Sequence, residues 1–281
     1  MSINPIDLLL WTFRRNENDV VKLYDALSPI MEVSTGGDIL NFGFWNDSTS
    51  HPVDAQTQLC MMMGNMAELS SAEIIVDVGS GILGPAKIWN SQYPSLQISS
   101  VNVNFSQLSS VGSGNISKIN STARLLPFLD SSLDRVIALE SAQHFNPIGD
   151  FISESNRVLK KNGILVLAIP TAIDNSSLSN LGILKLTWSS EHYSEKYILD
   201  EITQNGFEIV DFQDIGKNVY SPLAEYYINN RSELRKKILS RYSKYVEKIL
   251  FESMKKMQSA SENKLIGYLM LKCKKLALDS R

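Results

Sequence analysis

A cluster of glycines is the first part of this chain whose residue types and spacing indicate chemistry. Gly79, Gly81 and Gly84 follow the apolar residues 74–76 and the acid Asp77. Glycine permits a positive φ and lets the backbone come close to a ligand, because no Cβ stands in the way. The residues after this turn are typical of a helix start, where unpaired N–H groups carry a partial positive charge. The pattern therefore predicts a strand, a tight turn and a helix that bind a nucleotide-type cofactor at the first crossover of a doubly wound sheet.

The glycine spacing alone does not decide which cofactor is bound. The dinucleotide pattern requires an acid at the end of the second strand, about 20 residues later, to bind the ribose hydroxyls. Here the predicted second strand, residues 96–103, has Asn102 near its end, is followed by Asn104 and contains no acid. A nicotinamide-dependent oxidoreductase is therefore the weaker interpretation.

Two segments resemble the motifs of class I S-adenosylmethionine-dependent methyltransferases. Residues 76–85, VDVGSGILGP, resemble motif I, which usually reads D-x-G-x-G-x-G-G-P, with Leu83 in place of a glycine. The resemblance implies an α/β fold with a Rossmann-like seven-stranded methyltransferase sheet, mostly parallel with an antiparallel last strand, and S-adenosylmethionine as cofactor. It also implies a helical N-terminal cap and a helical insertion before the last strand. The second segment lies within residues 122–141 and matches at Ala123, Leu126, Pro127, Phe128, Asp130, Ser132, Asp134, Glu140 and Ser141.

The resemblance further implies which side chains contact the cofactor. Asn102 and Gln107 fit a V-x-V/L-x-x-x-Q pattern in which amide groups replace the ribose-binding acid, as their chemistry allows. A polar strand end followed by a helix cap is the alternative for these two residues. Thr122 stands where the family has the acid that contacts the adenine amino group. The predicted cofactor-binding set is Tyr24, Asp77, Gly79, Ser80, Gly81, Asn102, Val103, Gln107, Thr122, Ala123, Arg124 and Glu140.

The aromatic segment 40–45 resembles the LHxGYW segment of one methyltransferase subgroup, with Asn41 where histidine is common. That subgroup contains macrolide sugar O-methyltransferases and sterol and tocopherol C-methyltransferases, and the pair Tyr24–Asp25 matches its YD motif. In the subgroup the N-terminal segment covers the cofactor and lines the acceptor pocket. Packing in the core is the alternative for these aromatic residues. The predicted substrate-pocket residues are Phe44, Trp45 and His144.

Histidine is the side chain whose ordinary pKa suits proton transfer near neutral pH. His144 follows the family's E-S pair in a position that borders the transferred methyl group, so it is predicted to accept the proton of an attacking hydroxyl. A histidine that orders the loop is the alternative. His192 is a second catalytic candidate, and His51, beside Pro52, is expected at the surface.

The elements that position these residues follow from the apolar periodicity. Pro29 is expected to weaken the C-terminal part of the helix predicted at 19–31, and the alternation in 265–272 indicates an antiparallel edge strand. A short apolar helix at 6–13 is predicted to dock on the protein rather than anchor it to a membrane surface. Further helices are predicted at 19–31, 56–69, 147–159, 194–205 and 222–257, and strands at 74–76, 96–103, 116–119, 135–139, 164–169, 207–215 and 265–272.

One structural domain overall is expected, with four parts. These are an N-terminal helical cap (1–70), a cofactor-binding core (71–215), a helical lid insertion (216–262) and the last strand with a tail (263–281). The 281 residues suffice for one large domain.

Composition restricts the partners. A net charge of −3 gives no general attraction to nucleic acid or to an anionic membrane. No apolar run reaches the ~18–20 residues needed to span a bilayer, so no integral membrane association is expected. Cys60 and Cys273 are far apart in sequence, which favours a reducing, cytoplasmic setting, with a single disulfide between them as the alternative. No metal-ligand cluster is visible in the sequence. The expected partner is a small-molecule acceptor, and the sequence leaves monomer and homodimer open.

The function predicted from these features is transfer of a methyl group to a small, lipophilic acceptor, at a hydroxyl or an activated carbon, by direct displacement. Such catalysis depends mainly on holding two reactants in line and excluding water. The first alternative is a methyltransferase-like, non-catalytic partner subunit, which Leu83 and Thr122 keep open. The second alternative, an NAD(P)-dependent oxidoreductase, is disfavoured by the missing ribose acid.

Overall fold

The structure is a computed structural model that describes residues 16–37, 39–173, 181–187 and 190–276, so the helix predicted at 6–13 lies outside the described residues. The strands are β1 (Ile74–Val78), β2 (Gln97–Asn102), β3 (Ser117–Asn120), β4 (Leu133–Leu139), β5 (Leu159–Ala172), β6 (Phe207–Asp214) and β7 (Ile266–Lys275). The helices are α1 (Glu17–Thr35), α2 (Pro52–Met66), α3 (Gly84–Gln92), α4 (Phe105–Ser109), α5 (Ile148–Val158), α6 (Leu184–Thr187), α7 (Glu195–Gln204), α8 (Tyr220–Asn229), α9 (Arg231–Leu239) and α10 (Lys244–Glu262).

The seven strands form one sheet in the order β3-β2-β1-β4-β5-β7-β6. The strands from β3 to β5 are parallel, whereas β7 runs antiparallel to both of its neighbours. The predicted fold class is therefore confirmed. Because strand order reverses beside β1, the carboxyl ends of β1, β2 and β4 form the crevice where such sheets bind ligands.

The predicted edge position of the last strand is wrong. β7 lies between β5 and β6 and pairs with each over most of its length, so β6 forms the edge of the sheet. The reason is visible in the burial of the two strands. Tyr268, Leu269, Met270 and Leu271 are consecutive in β7 and are all buried, as expected for a strand covered on both faces, whereas β6 exposes Val210 and Phe212.

Helices cover both faces of the sheet, and each face has its own apolar cluster. Adjacent residues of β1 point to opposite sides, so Ile75 packs with Trp89 of α3 in one cluster and Val76 packs with Phe151 of α5 in the other. The continuous apolar run predicted at 164–169 is the buried middle of β5. This double covering makes the sheet a rigid support for its carboxyl edge.

The first described helix is longer than predicted. α1 continues through Pro29 to Thr35 and closes at Gly36, which has φ +79° and donates its N–H to Glu32 O. Pro29 does not end the helix, because the burial of Leu23 and Ile30 and this C-cap stabilise it across the missing proline N–H; the weakening expected at Pro29 stays a prediction.

The predicted helical insertion precedes β7 as three helices, α8, α9 and α10. Asn230 separates the first two, and Ser243 is the N-cap of the third. Within the described residues, every helix is too short or too polar to cross a membrane.

Candidate active site

A cavity of about 610 Å³ lies at the carboxyl ends of β1, β2 and β4, beneath α1. It brings together predicted site residues that are up to 120 positions apart in sequence. Its described lining does not include Phe44, Trp45, Thr122 or His192. The predicted residues that line it are Tyr24, Asp77, Gly79, Ser80, Gly81, Asn102, Val103, Gln107, Ala123, Arg124, Glu140 and His144.

The glycine turn needs its glycines for two different reasons. Gly79 (φ +76°) and Gly81 (φ +54°) both have left-handed backbones that disfavour a side chain. A Cβ on Gly79 would lie 2.3 Å from the Cβ of Ser141, so this glycine lets the turn pack against the end of β4. A Cβ on Gly81 would meet nothing within 4 Å, because that position faces the open cavity.

Leu83, the departure from the family motif, has a left-handed backbone conformation. Its φ is +67° and it is the N-cap of α3, a conformation that glycine adopts at lower cost. The side chain is fully buried, and this burial offsets the cost of the left-handed backbone. The turn is therefore formed in spite of the substitution.

Asp77 presents an unsatisfied carboxylate oxygen to the site. The residue is 2% exposed, and among the described residues its Oδ2 has no hydrogen-bond partner. Burial raises the pKa of the Asp77 carboxyl to about 7. A buried acceptor of this kind suits a cationic donor, such as the ammonium group of a bound amino-acid moiety.

The amide pair predicted to hold the ribose is joined to the glycine turn. Asn102 Nδ2 donates to Gly81 O at 3.1 Å and to Gln107 Oε1 at 2.9 Å. Gln107 Nε2 in turn donates to Ser28 Oγ of α1 at 3.2 Å. These bonds fix both side chains in the cavity wall, and their contact with a ribose stays a prediction.

Glu140, the last predicted cofactor residue, lies just after β4 with a left-handed backbone (φ +49°). Its Oε1 accepts hydrogen bonds from Phe42 N at 2.9 Å and from Tyr268 Oη at 2.7 Å. Burial nevertheless raises the pKa of the Glu140 carboxyl to about 8. Glu140 therefore joins the N-terminal segment to β7 through hydrogen bonds that span 98 and 128 positions, which local sequence patterns do not reveal.

Thr122 faces α1 instead of the cavity. Its hydroxyl donates to Glu17 Oε1, and the same carboxylate lies 3.7 Å from Arg124 Nε. Ala123, between them, is buried in the lining, as expected for a residue that meets the cofactor through its backbone. Thr122 and Arg124 thus connect the loop after β3 to Glu17 in the first turn of α1.

The predicted pocket aromatics lie behind the cavity wall. Trp45 is 6% exposed; its backbone N–H donates to Asn218 O at 2.7 Å, and its ring centroid is 5.6 Å from that of Tyr226. Phe44 packs against the core cluster around α2. Ile39, Leu40 and Asn41, just upstream, line the cavity in their place. The role predicted for Phe44 and Trp45 in an acceptor pocket stays a prediction.

The two catalytic candidates differ in position. His144 lines the cavity, and its Nε2 lies 2.9 Å from Tyr24 Oη, with the two rings nearly perpendicular at a centroid distance of 5.3 Å. His192 is 5% exposed, has φ +52°, and has its Nδ1 3.2 Å from Ser190 Oγ. The structure thus brings His144, but not His192, to the glycine turn's cavity.

Sequence reasoning missed Glu191 as a lining residue. Its backbone N–H donates to Gln143 O at 3.0 Å, and Gln143 Nε2 donates to Glu140 O at 2.7 Å, so the loop before α7 is joined to the end of β4. A glutamate beside His192 in a loop carries no local signal for such a position. Among the described residues, no group of three or more His, Cys, Asp or Glu side chains is placed to hold a metal ion.

The residues of this cavity fit S-adenosylmethionine. The orphaned Oδ2 of Asp77 matches an ammonium group, and the open space at Gly81 leaves room where a Cβ would intrude. The amide side chains of Asn102 and Gln107 suit the hydroxyl groups of a ribose. The apolar Ala123 suits a purine ring.

Comparison with known proteins agrees with this geometry. A family model described as a methyltransferase domain matches residues 76–167. The erythromycin 3''-O-methyltransferase of Saccharopolyspora erythraea is 25% identical over 286 residues, which cover 92% of this chain and 89% of that protein. The O-methyltransferase resE of Aspergillus sclerotiorum is 25% identical over 256 residues, which cover 85% and 91%.

A solved structure shares the fold over nearly the whole chain. The mycolic acid cyclopropane synthase complexed with SAH and CTAB superimposes with a TM-score of 0.78 at 14% identity, covering 94% of this chain and 99% of that chain. The family resemblance, the fold and the cofactor predicted from the sequence are all confirmed. The chain is therefore a methyltransferase, and its domain and fold support S-adenosylmethionine as the cofactor.

Proposed function

We propose that this methyltransferase acts on a hydroxyl group of a small, lipophilic acceptor and that His144 is the base of the reaction. One observation carries the proposal: His144 lines the same cavity as the glycine turn. A proton acceptor and the predicted cofactor contacts therefore share one enclosed space.

When bound, S-adenosylmethionine supplies a methyl group on a positively charged sulfur. The chain holds the two reactants in line and keeps water out, which are the main contributions expected in a direct displacement. α1 lies over the cavity and contributes lining from Val20, Val21 and Tyr24. His144 then takes the proton that the acceptor hydroxyl loses, as general-base catalysis requires.

The lining and the relatives support the acceptor class. Val20, Val21, Ile39, Leu40 and Phe145 give part of the cavity an apolar wall. The two curated relatives are named as O-methyltransferases, one of them for erythromycin. Both points favour an oxygen acceptor on an apolar scaffold, with an activated carbon as the alternative.

The same proposal extends to the organisation of the chain. We infer that residues 1–70 form the cap and residues 216–262 the lid of one structural domain, around a core at 71–215 and a last strand and tail at 263–281. Glu140 supports a single domain, because its carboxylate accepts hydrogen bonds from both the cap segment and the last strand. Two buried free thiols, Cys60 and Cys273, support a reducing, cytoplasmic setting, and the net charge of −3 supports a small-molecule partner over nucleic acid.

The test is transfer of a deuterated methyl group from labelled cofactor to a panel of lipophilic alcohols and phenols, with the methyl position assigned by NMR. His144→Gln is expected to lower kcat by about 10²–10⁴-fold, the usual contribution of a positioned base, while cofactor affinity is retained. His51→Asn is the matched control, because His51 is exposed and serves as the N-cap of α2, a role that asparagine also fills.

A methyl group on oxygen, together with loss of turnover only in the His144 variant, is the result expected. Methylation on carbon would replace the hydroxyl proposal by the carbon alternative. Wild-type turnover in His144→Gln would remove His144 as the base.

A further inference from the structure

The contact between Tyr24 and His144 determines how a proton can reach the imidazole. Tyr24 Oη lies 2.9 Å from His144 Nε2, and both side chains line the cavity. In this arrangement the phenol oxygen of Tyr24 lies between His144 Nε2 and the rest of the cavity. An acceptor in the cavity that approaches this nitrogen therefore meets Tyr24 first.

Two hydrogen bonds of the turn that follows Tyr24 hold this part of α1 in place. Asp25, the neighbour of Tyr24 in sequence, accepts a hydrogen bond from Asn104 Nδ2 at 2.8 Å. One turn later, Ser28 Oγ accepts from Gln107 Nε2 at 3.2 Å. Both partners belong to the segment that follows β2, so the turn of α1 that begins at Tyr24 is fixed to the carboxyl edge of the sheet. The phenol oxygen is therefore a preorganised group of the cavity.

The protonation state of Tyr24 suits a donor. Burial, and the nearby charge of Glu140, raise the pKa of the Tyr24 phenol above its ordinary value. The phenol thus keeps its proton at neutral pH and can donate it to a nitrogen that holds a lone pair.

We propose that Tyr24 relays the proton from the acceptor hydroxyl to His144. The acceptor O–H bond breaks and its proton moves to Tyr24 Oη, while the proton of Tyr24 moves to His144 Nε2. The phenol ends neutral and the imidazole ends protonated. The freed oxygen electron pair forms the new bond to the methyl carbon, and the electrons of the carbon–sulfur bond remain on sulfur.

The proposal rests on the proposed function and changes the role of one residue in it. The sequence predicts Tyr24 as a cofactor contact, whereas the relay makes it a catalytic residue that touches the acceptor. The two roles differ in what a missing hydroxyl removes. Loss of a cofactor contact weakens cofactor affinity, and loss of the relay lowers kcat with affinity unchanged.

The experiment uses Tyr24→Phe, which deletes only the phenol oxygen. We expect kcat on a hydroxyl acceptor to fall by about 10²-fold or more, with the cofactor Kd within about threefold of wild type. Tyr227→Phe is the matched control, because Tyr227 is buried and, among the described residues, its hydroxyl has no hydrogen-bond partner. The kcat of the double variant Tyr24→Phe/His144→Gln is expected to be no lower than that of the less active single variant, because the two residues act as a unit.

A readout without turnover separates this proposal from the proposed function. The chain has three histidines, so the ¹⁵N spectrum of their side chains can be assigned directly. With Tyr24 donating, His144 carries its proton on Nδ1. Tyr24→Phe is expected to change the His144 nitrogen shifts and leave those of His51 and His192 unchanged.

Unchanged His144 nitrogen shifts in Tyr24→Phe would overturn the relay whether or not the acceptor class is right. Wild-type kcat in that variant, or additive losses in the double variant, would also overturn it. A changed spectrum in a protein that methylates only carbon would instead show that the contact exists but that the hydroxyl proposal has failed.

Discussion

Burial controls the two carboxyl groups deepest in the cavity wall. Asp77 is 2% exposed and Glu140 is 8% exposed, and desolvation is the largest influence on the pKa of each. An acid whose pKa is higher in the folded than in the unfolded state opposes folding once the pH exceeds its unfolded pKa. The apo protein is therefore expected to lose stability as the pH rises from about 4 to about 8.

Asp77→Asn tests this expectation at one residue. The rise of the Asp77 pKa from 3.8 to about 7 lowers the free energy of unfolding by at most about 4 kcal/mol. This loss develops as the pH rises from the first pKa to the second, and above the second pKa it stays constant. The variant is expected to exceed the wild-type free energy of unfolding by roughly 2–4 kcal/mol at pH 8 and to equal it near pH 4. Urea unfolding at a series of pH values measures the difference.

Asp47→Asn, at an exposed position, is the control and should leave the pH dependence unchanged. If Asp77→Asn is no more stable than wild type at pH 8, the expectation is contradicted, because the ionised carboxylate then has a favourable partner in the apo protein.

Among the elements, the three-helix insertion has its own electrostatic anchor. Glu247 of α10 is 3% exposed and accepts hydrogen bonds from Arg231 Nε at 2.9 Å and from its Nη2 at 3.3 Å. Arg235 Nε lies 3.6 Å from the same carboxylate, and the Arg231 guanidinium stacks 3.4 Å from the centroid of the Phe251 ring. A buried carboxylate needs charged hydrogen-bond partners, and here those of Glu247 come from α9. The cluster therefore holds α9 against α10.

Glu247→Gln keeps the shape of the side chain and removes its charge. The variant is expected to lose about 1–3 kcal/mol of unfolding free energy, since the hydrogen bonds to a charged group become bonds to a neutral one. Glu233→Gln is the matched control, because Glu233 also pairs with a cation, Lys237, but is 69% exposed. Thermal unfolding should show a lower Tm for the first variant only; equal Tm values for both would show that the buried cluster adds nothing beyond a surface ion pair.

The elements also show what local sequence can predict. The glycine turn, the buried β5 and the start of α5 depend on neighbouring residues, and patterns over a few positions identify them. The position of β7 inside the sheet and the placement of Trp45 against Asn218 depend on residues that are distant in sequence. Likewise, Tyr24 and His144 were predicted separately, but their contact arises only when α1 docks on the sheet edge.

At the scale of the whole molecule, the cavity exists because several distant segments converge on one edge of the sheet. The ends of β1, β2 and β4 give its floor, α1 covers it, and Glu140 joins the cap segment to the last strand. Motif patterns predict most of the floor, and the family resemblance implies the N-terminal cover. The hydrogen bonds that hold α1 on the sheet edge join residues that are distant in sequence, so no local pattern predicts them. The central claim is that the glycine turn of this cavity is where S-adenosylmethionine binds.

Calorimetric titration of S-adenosylmethionine into wild type, Gly81→Val and Gly114→Val tests this claim most directly. Gly81 (φ +54°) and Gly114 (φ +55°) have the same backbone conformation, and a Cβ at either meets nothing within 4 Å, so the two variants carry the same backbone strain. Only Gly81 lines the cavity. We expect Gly114→Val to bind like wild type and Gly81→Val to bind at least about a hundredfold more weakly, with similar Tm values for the two variants. Equal affinity in all three proteins would contradict the placement of the cofactor in this cavity.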